Sequence, residues 1–359
     1  MQPHNPIEHI VIIVKENHTF DNYFGTFPGA NGDATLAHAP DSPAKDPPHD
    51  HRAWLKRAKG AVRQQYHESD IPAYFAYARK FTLCDNYFTE IASQSEPNHL
   101  TLFTAASPII DNANAKRTYQ PQPPFKIPSL PASLAKAGFT WKSYGDPKYN
   151  YFNDIANYVA ALQGSPNIVS WKQFDIDAAA GNLPNISWVY APSEFSEHPP
   201  FGANAGKPSV KPGMQWTVDR VNQVAKSKLW ASTAIFITWD DWGGWYDHVT
   251  PPLKDTWKGG GPSGTTYTNT QFSYGPRVGC LILSPYARKG YISKAFHSHV
   301  SIVKFCETTF GLKPLNKRDA ASDDMSDCFD FKQKPLPPPN IKSKLVLKSK
   351  LQPKQKTKA

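Results

Sequence analysis

Two acidic clusters in this 359-residue chain each follow an apolar run. Glu16-Asn17 closes the run His9-Ile-Val-Ile-Ile-Val14-Lys15, and Asp240-Asp241 closes Thr233-Ala-Ile-Phe-Ile-Thr238-Trp239. One carboxylate at a strand end commonly serves as a turn residue or helix cap. Two clusters, each abutting an apolar strand, are better explained together: side by side in a sheet they bring three carboxylates and an amide oxygen to one point. Such charges repel unless a cation sits among them. An oxygen-rich set suits a hard divalent ion such as calcium or magnesium, and an added imidazole admits zinc, iron or manganese. Ser95, in Ser93-Gln-Ser95-Glu-Pro97-Asn98-His99, falls at the expected start of a helix. A hydroxyl there either caps the helix or acts as a nucleophile. In the second case the free N–H groups attract a phosphate and a nearby metal lowers the hydroxyl pKa.

The chain has twelve histidines, and His49, His51, His198, His248 and His299 fall in expected loops or at helix starts. Those are the places where a strand-end site recruits ligands and proton donors. Gly243-Gly244 lets the backbone turn sharply past Asp241. No P-loop, dinucleotide-binding glycine motif or G-x-S-x-G elbow is present.

The elements that must position these residues alternate. Runs at His9–Val14, Gly138–Tyr144, Asn185–Tyr190, Thr233–Thr238 and Val278–Leu283 read as buried strands. Apolar spacings of three and four predict helices over Ile71–Phe81, Leu100–Ala105, Ser129–Ala137, Asp154–Leu162, Trp216–Ser232 and His299–Phe310. Alternation of this kind indicates an α/β fold with a largely parallel sheet, whose ligands bind beyond the carboxyl ends of the strands. Pro28–Pro48, Pro192–Pro212 and Pro251–Gly275 read as loops over that edge; with 34 Pro in the chain, many ordered loops are expected. Trp242, Trp245, Tyr246 and Trp257 either pack those loops or face a lipid or choline headgroup.

The net charge of +10 resembles a nucleic-acid signature until it is located. Residues 332–359 hold nine Lys and no acid, so residues 1–331 carry only +1 and no specific nucleic-acid partner is expected. The division is therefore a domain over 1–331 and a flexible Lys/Pro-rich tail over 332–359, either solvated or adhering to an anionic surface such as a membrane. Cys84, Cys280, Cys306 and Cys328 are too far apart in sequence for a zinc knuckle or a disulfide scaffold. Met1-Gln-Pro-His-Asn-Pro6 has no basic or apolar leader region. The expected location is thus cytoplasmic, or secreted or periplasmic for an already processed form.

Several segments together resemble one family, the bacterial phosphoesterases that include phosphatidylcholine-type phospholipase C and related acid phosphatases. They are Ile10–Gly25 with Glu16-Asn17-His-Thr-Phe20-Asp21-Asn22, Ser95-Glu-Pro97-Asn98-His99, Glu197-His198-Pro199 and Thr238–Val249. Tyr274–Val278, Ser284–Arg288, His299-Val-Ser301 and Arg318–Phe331 follow in family order. The resemblance implies a three-layer α/β/α sandwich like alkaline phosphatase, with the metal at the strand carboxyl ends. It places Glu16, Asn17, Asp240 and Asp241 at metal-ligand positions, and Ser95 at the nucleophile that also ligates the metal. His51, with His49 as alternative, His198 and His299 fall at active-site histidines, and Asn98 lies in the nucleophile motif. Asp240-Asp241 stands where the family often has Asp-Glu, Asn98-His99 where many phospholipases C have Asn-Arg, and Ser298 where Asp is usual. These departures point away from a specific choline-lipid substrate.

The implied activity is metal-dependent phosphate-ester hydrolysis through Ser95, with a phospholipid among the possible substrates. The alternative is a non-catalytic binder of anionic surfaces working through the tail. Removal of the tail distinguishes them: a catalyst keeps its rate on a soluble ester, whereas a tail-driven binder loses vesicle binding that had depended steeply on salt.

Overall fold

The computed structural model describes residues 5–41, 43, 45–113, 120–146, 155–199, 206–252, 274–339 and 341. Among the described residues eleven strands are formed: β1 His9–Lys15, β2 Ala37–His38, β3 Gln64–Gln65, β4 Thr82–Phe88, β5 Trp141–Gly145, β6 Ile168–Ser170, β7 Ile186–Tyr190, β8 Thr233–Trp239, β9 Arg277–Leu283, β10 Tyr291–Ser293 and β11 His297–Ser298. Nine build one sheet in the order β10-β4-β9-β8-β1-β7-β5-β6, with β11 continuing along β4, while β2 and β3 pair separately. Only β9 runs antiparallel to its neighbours in the large sheet. The expected mainly parallel α/β architecture is what forms.

The central strands are near-continuous apolar runs because both faces are covered. Ile10–Ile13, Ala234–Ile237 and Val278–Leu283 have essentially no solvent contact. The longer helices are α1 Phe20–Phe24, α2 Pro72–Lys80, α3 Ser95–Thr104, α4 Leu130–Lys136, α5 Trp171–Ala180, α6 Val210–Lys226 and α7 His299–Phe310. Helix α3 packs on α4 and α7, and α6 packs on α2 and α5, giving two helical groups with the doubly buried strands between them.

Four elements depart from the sequence reading. Strand β4 was not expected: Asp85 and Asn86 interrupt its apolar pattern, but Asp85 is buried against the Asn31 amide at 2.7 Å and the Lys294 ammonium. Helix α6 starts at Val210, not Trp216, because Pro212 lies in its first turn, where a missing N–H costs nothing. The Asp41 carboxylate accepts from the amides of Ser209, Val210 and Lys211 at 2.9–3.1 Å, a cap supplied from far along the chain. That helix ends at Lys226, and Lys228–Ser232 is a separate 3-10 turn. Helix α5 was also not expected. The helix expected over Asp154–Leu162 is, in its described part, α-helical over 155–157 and a 3-10 turn at Ala160–Leu162.

Of the expected Pro251–Gly275 loop, residues 253–273, including Trp257, lie outside the described residues. Past residue 331 the chain continues along the domain. Pro285 O accepts from Leu336 N at 2.8 Å, Leu336 O from Trp230 Nε1 at 3.2 Å and Ile341 O from Asn222 Nδ2 at 3.1 Å. The tail deletion should therefore begin after Ile341. Residues 342–359 lie outside the described residues. Among the described residues no helix is long and apolar enough to cross a membrane.

Arg277, at the start of β9, is wholly buried and joins helix α1, strand β4 and the loops at Asn31 and Asp247. It donates to Asp21 Oδ1 at 2.9 Å, Asp247 Oδ1 at 3.0 Å, Asn31 O at 2.7 Å and Asp85 O at 2.9 Å. Burial pushes the Asp247 carboxyl up to about 6 although Arg277 draws it down. Arg277→Met would strand two buried carboxylates, so it should destabilise the fold by about 3–5 kcal/mol in urea denaturation; a loss within 1 kcal/mol, about the worth of a surface pair, would refute this role.

Candidate active site

Strands β1 and β8 are parallel neighbours with Lys15 opposite Trp239, so the residues that follow them emerge at one level. The Asp240 amide donates to Lys15 O at 3.0 Å, continuing the ladder by one more bond. Glu16, Asn17, Asp240 and Asp241 consequently share the carboxyl edge, all of them buried. Ser95 opens α3 above them. Gln94 is the capping residue, so the Ser95 hydroxyl does not cap its helix. It donates instead toward Asp241 Oδ2 at 3.1 Å and Glu16 Oε2 at 3.2 Å.

His99 was not among the expected site residues, and it lies at the centre of the site. It sits one helical turn after Ser95 on the same face of α3, with Nε2 3.3 Å from both Glu16 Oε1 and Asp240 Oδ2. The spacing Ser95-x-x-x-His99 carried that signal, since residues four apart on a helix are neighbours. Burial opposes charge on His99, but Asp240 and Glu16 outweigh it and lift its pKa to about 9. Burial, with Asp240 adjacent, pushes Glu16 up, and burial with Asp240 and Glu16 pushes Asp241 well up. At Asp240 the burial penalty is outweighed by His99, and its carboxyl is drawn down.

The donor set fits a divalent cation. Asn17 Oδ1 and Asp240 Oδ1 are buried with no hydrogen-bond donor, and Asp240 Oδ2 has the His99 ring at 3.3 Å. Oxygen atoms left this way cost roughly 1–3 kcal/mol each or more, which a bound ion would recover. The turn at Gly243 has φ 55°. A Cβ there would overlap the Asn17 backbone oxygen and lie 2.8 Å from its side-chain oxygen, so only glycine lets the turn close over Asn17. The Gly243 amide also donates to Asp241 Oδ1 at 2.7 Å, leaving Oδ2 directed at Ser95.

The histidines divide into rim and support. His49 Nε2 stands 3.3 Å from Asn17 Nδ2, and its ring meets that of His198 edge-on at 5.9 Å. Asp46 lies 3.6 Å from His49 Nδ1 and 3.8 Å from His198 Nε2, so these three form one rim cluster. His51 donates from Nδ1 to Ala92 O at 2.8 Å, tying the short helix His51–Trp54 to the segment before Ser95. His299 opens α7, donates from Nε2 to Asp240 O at 2.9 Å and accepts from Tyr87 Oη at 2.8 Å. Both of its nitrogens are engaged by the protein, so its contact is with the backbone of a ligand position.

Asn98, expected among the catalytic groups, is hydrogen-bonded through both side-chain atoms to the loop before Ser95. Its Oδ1 accepts from Glu90 N at 3.2 Å and Ile91 N at 2.9 Å, and its Nδ2 donates to Ile91 O and Gln94 O, each at 3.0 Å. Glu197 likewise anchors His198. Its carboxylate accepts from Tyr23 Oη at 2.9 Å, Trp239 Nε1 at 3.1 Å and Tyr74 Oη, with Lys15 Nζ 3.4 Å away. Trp242 and Trp245 are buried, and Trp242 Nε1 donates to His49 O at 2.8 Å, so these two pack the loop.

A mainly parallel sheet between two helical groups is an architecture shared with known proteins. The chain is similar to a structure of a protein in the alkaline phosphatase superfamily from Vibrio parahaemolyticus, with a TM-score of 0.50, 12% identity, and 89% of this chain and 70% of that one covered. The chain belongs to the Phosphoesterase family, whose model matches residues 7–46 and 44–313. It is 28% identical to a non-hemolytic phospholipase C of Pseudomonas aeruginosa over 90% of this chain and 57% of that protein. It is 24% identical to phospholipase C B of Mycobacterium tuberculosis over 93% of this chain and 80% of that one. The chain thus spans less than two thirds of the Pseudomonas relative.

If Asp240 is part of a cation site, magnesium, calcium or manganese should raise the melting temperature, corresponding to about 2.7 kcal/mol at a hundredfold excess over Kd. Asp240→Asn should lose most of that gain. Melting curves of the native protein identical with each ion and with chelator would exclude the site.

Proposed function

We propose that this chain is a metal-dependent phosphoesterase that hydrolyses phosphate esters through Ser95. The observation that supports this reading most directly is the Ser95 hydroxyl lying between Asp241 Oδ2 and Glu16 Oε2 at the start of α3. Glu16, Asn17, Asp240, Asp241 and Ser95 would hold a divalent cation, with His99 beside them; when bound, it supplies Lewis acidity toward the serine oxygen and a phosphate oxygen.

The chain's own groups account for the remainder. The Ser95 proton passes to one of the two carboxylate oxygens it already faces. Ser95 Oγ then forms a bond to phosphorus as the bond to the leaving alkoxide breaks in line. The positive end of the α3 dipole at Ser95 and the His49–His198 rim stabilise negative charge on the equatorial oxygens. His198, partly open to solvent, is placed to give the leaving oxygen its proton. His299 and His51 act as positioning residues, one through Asp240 and the other through the loop before Ser95. Water on the opposite side then cleaves the phosphoserine and regenerates the hydroxyl.

Names of the relatives make a phosphodiester such as a phospholipid the first substrate class to test. Ser95→Ala should lower turnover by at least about a thousandfold, the scale of losing a nucleophile, with an unchanged circular dichroism spectrum. Rates on p-nitrophenyl phosphate and on its phosphorylcholine ester distinguish monoester from diester use. Near-normal turnover by Ser95→Ala on either ester would overturn the assignment.

A further inference from the structure

A second group of ligating side chains lies at the other end of β4, apart from the carboxylate site. Cys84 on β4 and Cys328 near the C-terminal end of the domain are separated by 244 positions, yet their sulfurs are 3.7 Å apart. His297 on β11 brings Nε2 to 3.8 Å from Cys328 Sγ. Asp327 Oδ1 stands 3.3 Å from that nitrogen and 3.5 Å from Cys328 Sγ. Cys84, Cys328 and His297 are fully buried, and their three ligand atoms lie within 4.8 Å of one another. Asp327 closes the group on its solvent side, with 29% of its side chain exposed.

We propose that Cys84, Cys328 and His297 hold a zinc ion, with Asp327 as the fourth ligand that closes on it when the metal binds. With metal–sulfur bonds of about 2.3 Å and metal–nitrogen or metal–oxygen bonds of about 2.0–2.1 Å, a tetrahedron has ligand–ligand edges of about 3.3 to 3.8 Å. The four separations above, 3.7, 3.8, 3.5 and 3.3 Å, fall in that range, and Asp327 would move toward Cys84 to complete the tetrahedron. His297 also has the support that metal-bound imidazoles require. Its Nδ1 donates to Asp323 Oδ1 at 2.7 Å, which directs the other nitrogen toward the sulfurs.

Without metal, Nε2 donates to Ser293 Oγ at 2.9 Å, and Ser293 in turn donates to Asp327 Oδ2 at 2.5 Å. Zinc binding would displace the Nε2 proton and both thiol protons to solvent, exchanging these hydrogen bonds for four coordinate bonds. Cys280 faces Cys84 across the β4–β9 ladder and adds a third thiol at the margin. The site would join three distant stretches of chain: β4, which leads to Ser95; β11, which ends one residue before His299; and the segment after Asp323. It is a structural clamp that holds the scaffold of the carboxylate site from behind.

Cobalt(II) distinguishes the two sites, because the carboxylate site contains no sulfur. Reduced, chelator-stripped full-length protein titrated with cobalt(II) should develop a thiolate-to-cobalt charge-transfer band and the strong visible bands of a tetrahedral ion. These should saturate at one equivalent and be bleached by zinc(II). Cys84→Ser and Cys328→Ser should abolish the charge-transfer band or halve it, and Asp323→Asn should weaken zinc binding by about 10- to 100-fold. Folded native protein without a sulfur-derived band overturns the proposal. So does a Cys84–Cys328 disulfide found by mass spectrometry in the purified chain and persisting when zinc and reductant are supplied, or a band unchanged in both cysteine variants.

Discussion

Three carboxylates confined to one dry corner are the constraint around which this molecule is arranged. Glu16, Asp240 and Asp241 leave adjacent parallel strands at the same level, where solvent cannot screen them. Close like charges in low dielectric are costly unless compensated. The compensation visible in the protein is positional: the start of α3 with the Ser95 hydroxyl, the His99 ring and the Gly243 amide all converge there. The same crowding that is costly to the protein alone would favour a small cation, and it leaves an alcohol oriented beside the carboxylates.

Around that corner, much of what looks catalytic in the sequence is support. Asn98 spends every polar atom on the loop before Ser95, and Glu197 is held by two tyrosines, a tryptophan and a lysine so that His198 next to it faces the rim. Arg277 balances Asp21 and Asp247, which explains why acids stand in the Phe20-Asp21-Asn22 and Tyr246-Asp247-His248 segments without reaching the carboxylate site. Buried charges of this kind tolerate no loss of a partner. They keep polar loops in one arrangement where an apolar core would leave several.

Legibility in the sequence followed physical range. Strands β1, β8 and β9 and helix α7 were evident because double burial and an apolar helix face leave local patterns. Strand β4 was not, because its polar residues are satisfied by Asn31 and Lys294 from elsewhere. The start of α6 was hidden by a proline that its first turn accommodates and by a cap from Asp41. His99 was within reach of helix periodicity alone, four residues after Ser95, but it could be recognised as central only once Glu16 and Asp240 stood on either side of it.

By itself, then, the sequence determined which residues end the apolar strands, that helices alternate with them, and that carboxylates and a serine belong at the edge where such sheets hold ligands. Those are consequences of burial and hydrogen bonding along a few successive residues. Tertiary structure alone decided which histidine enters the carboxylate cluster and which are fastened to backbone carbonyls. It also decided that the tail stays on the domain as far as Ile341 and that Cys84, His297 and Cys328 meet. Pairings across tens or hundreds of positions depend on how elements pack, and no local periodicity records that.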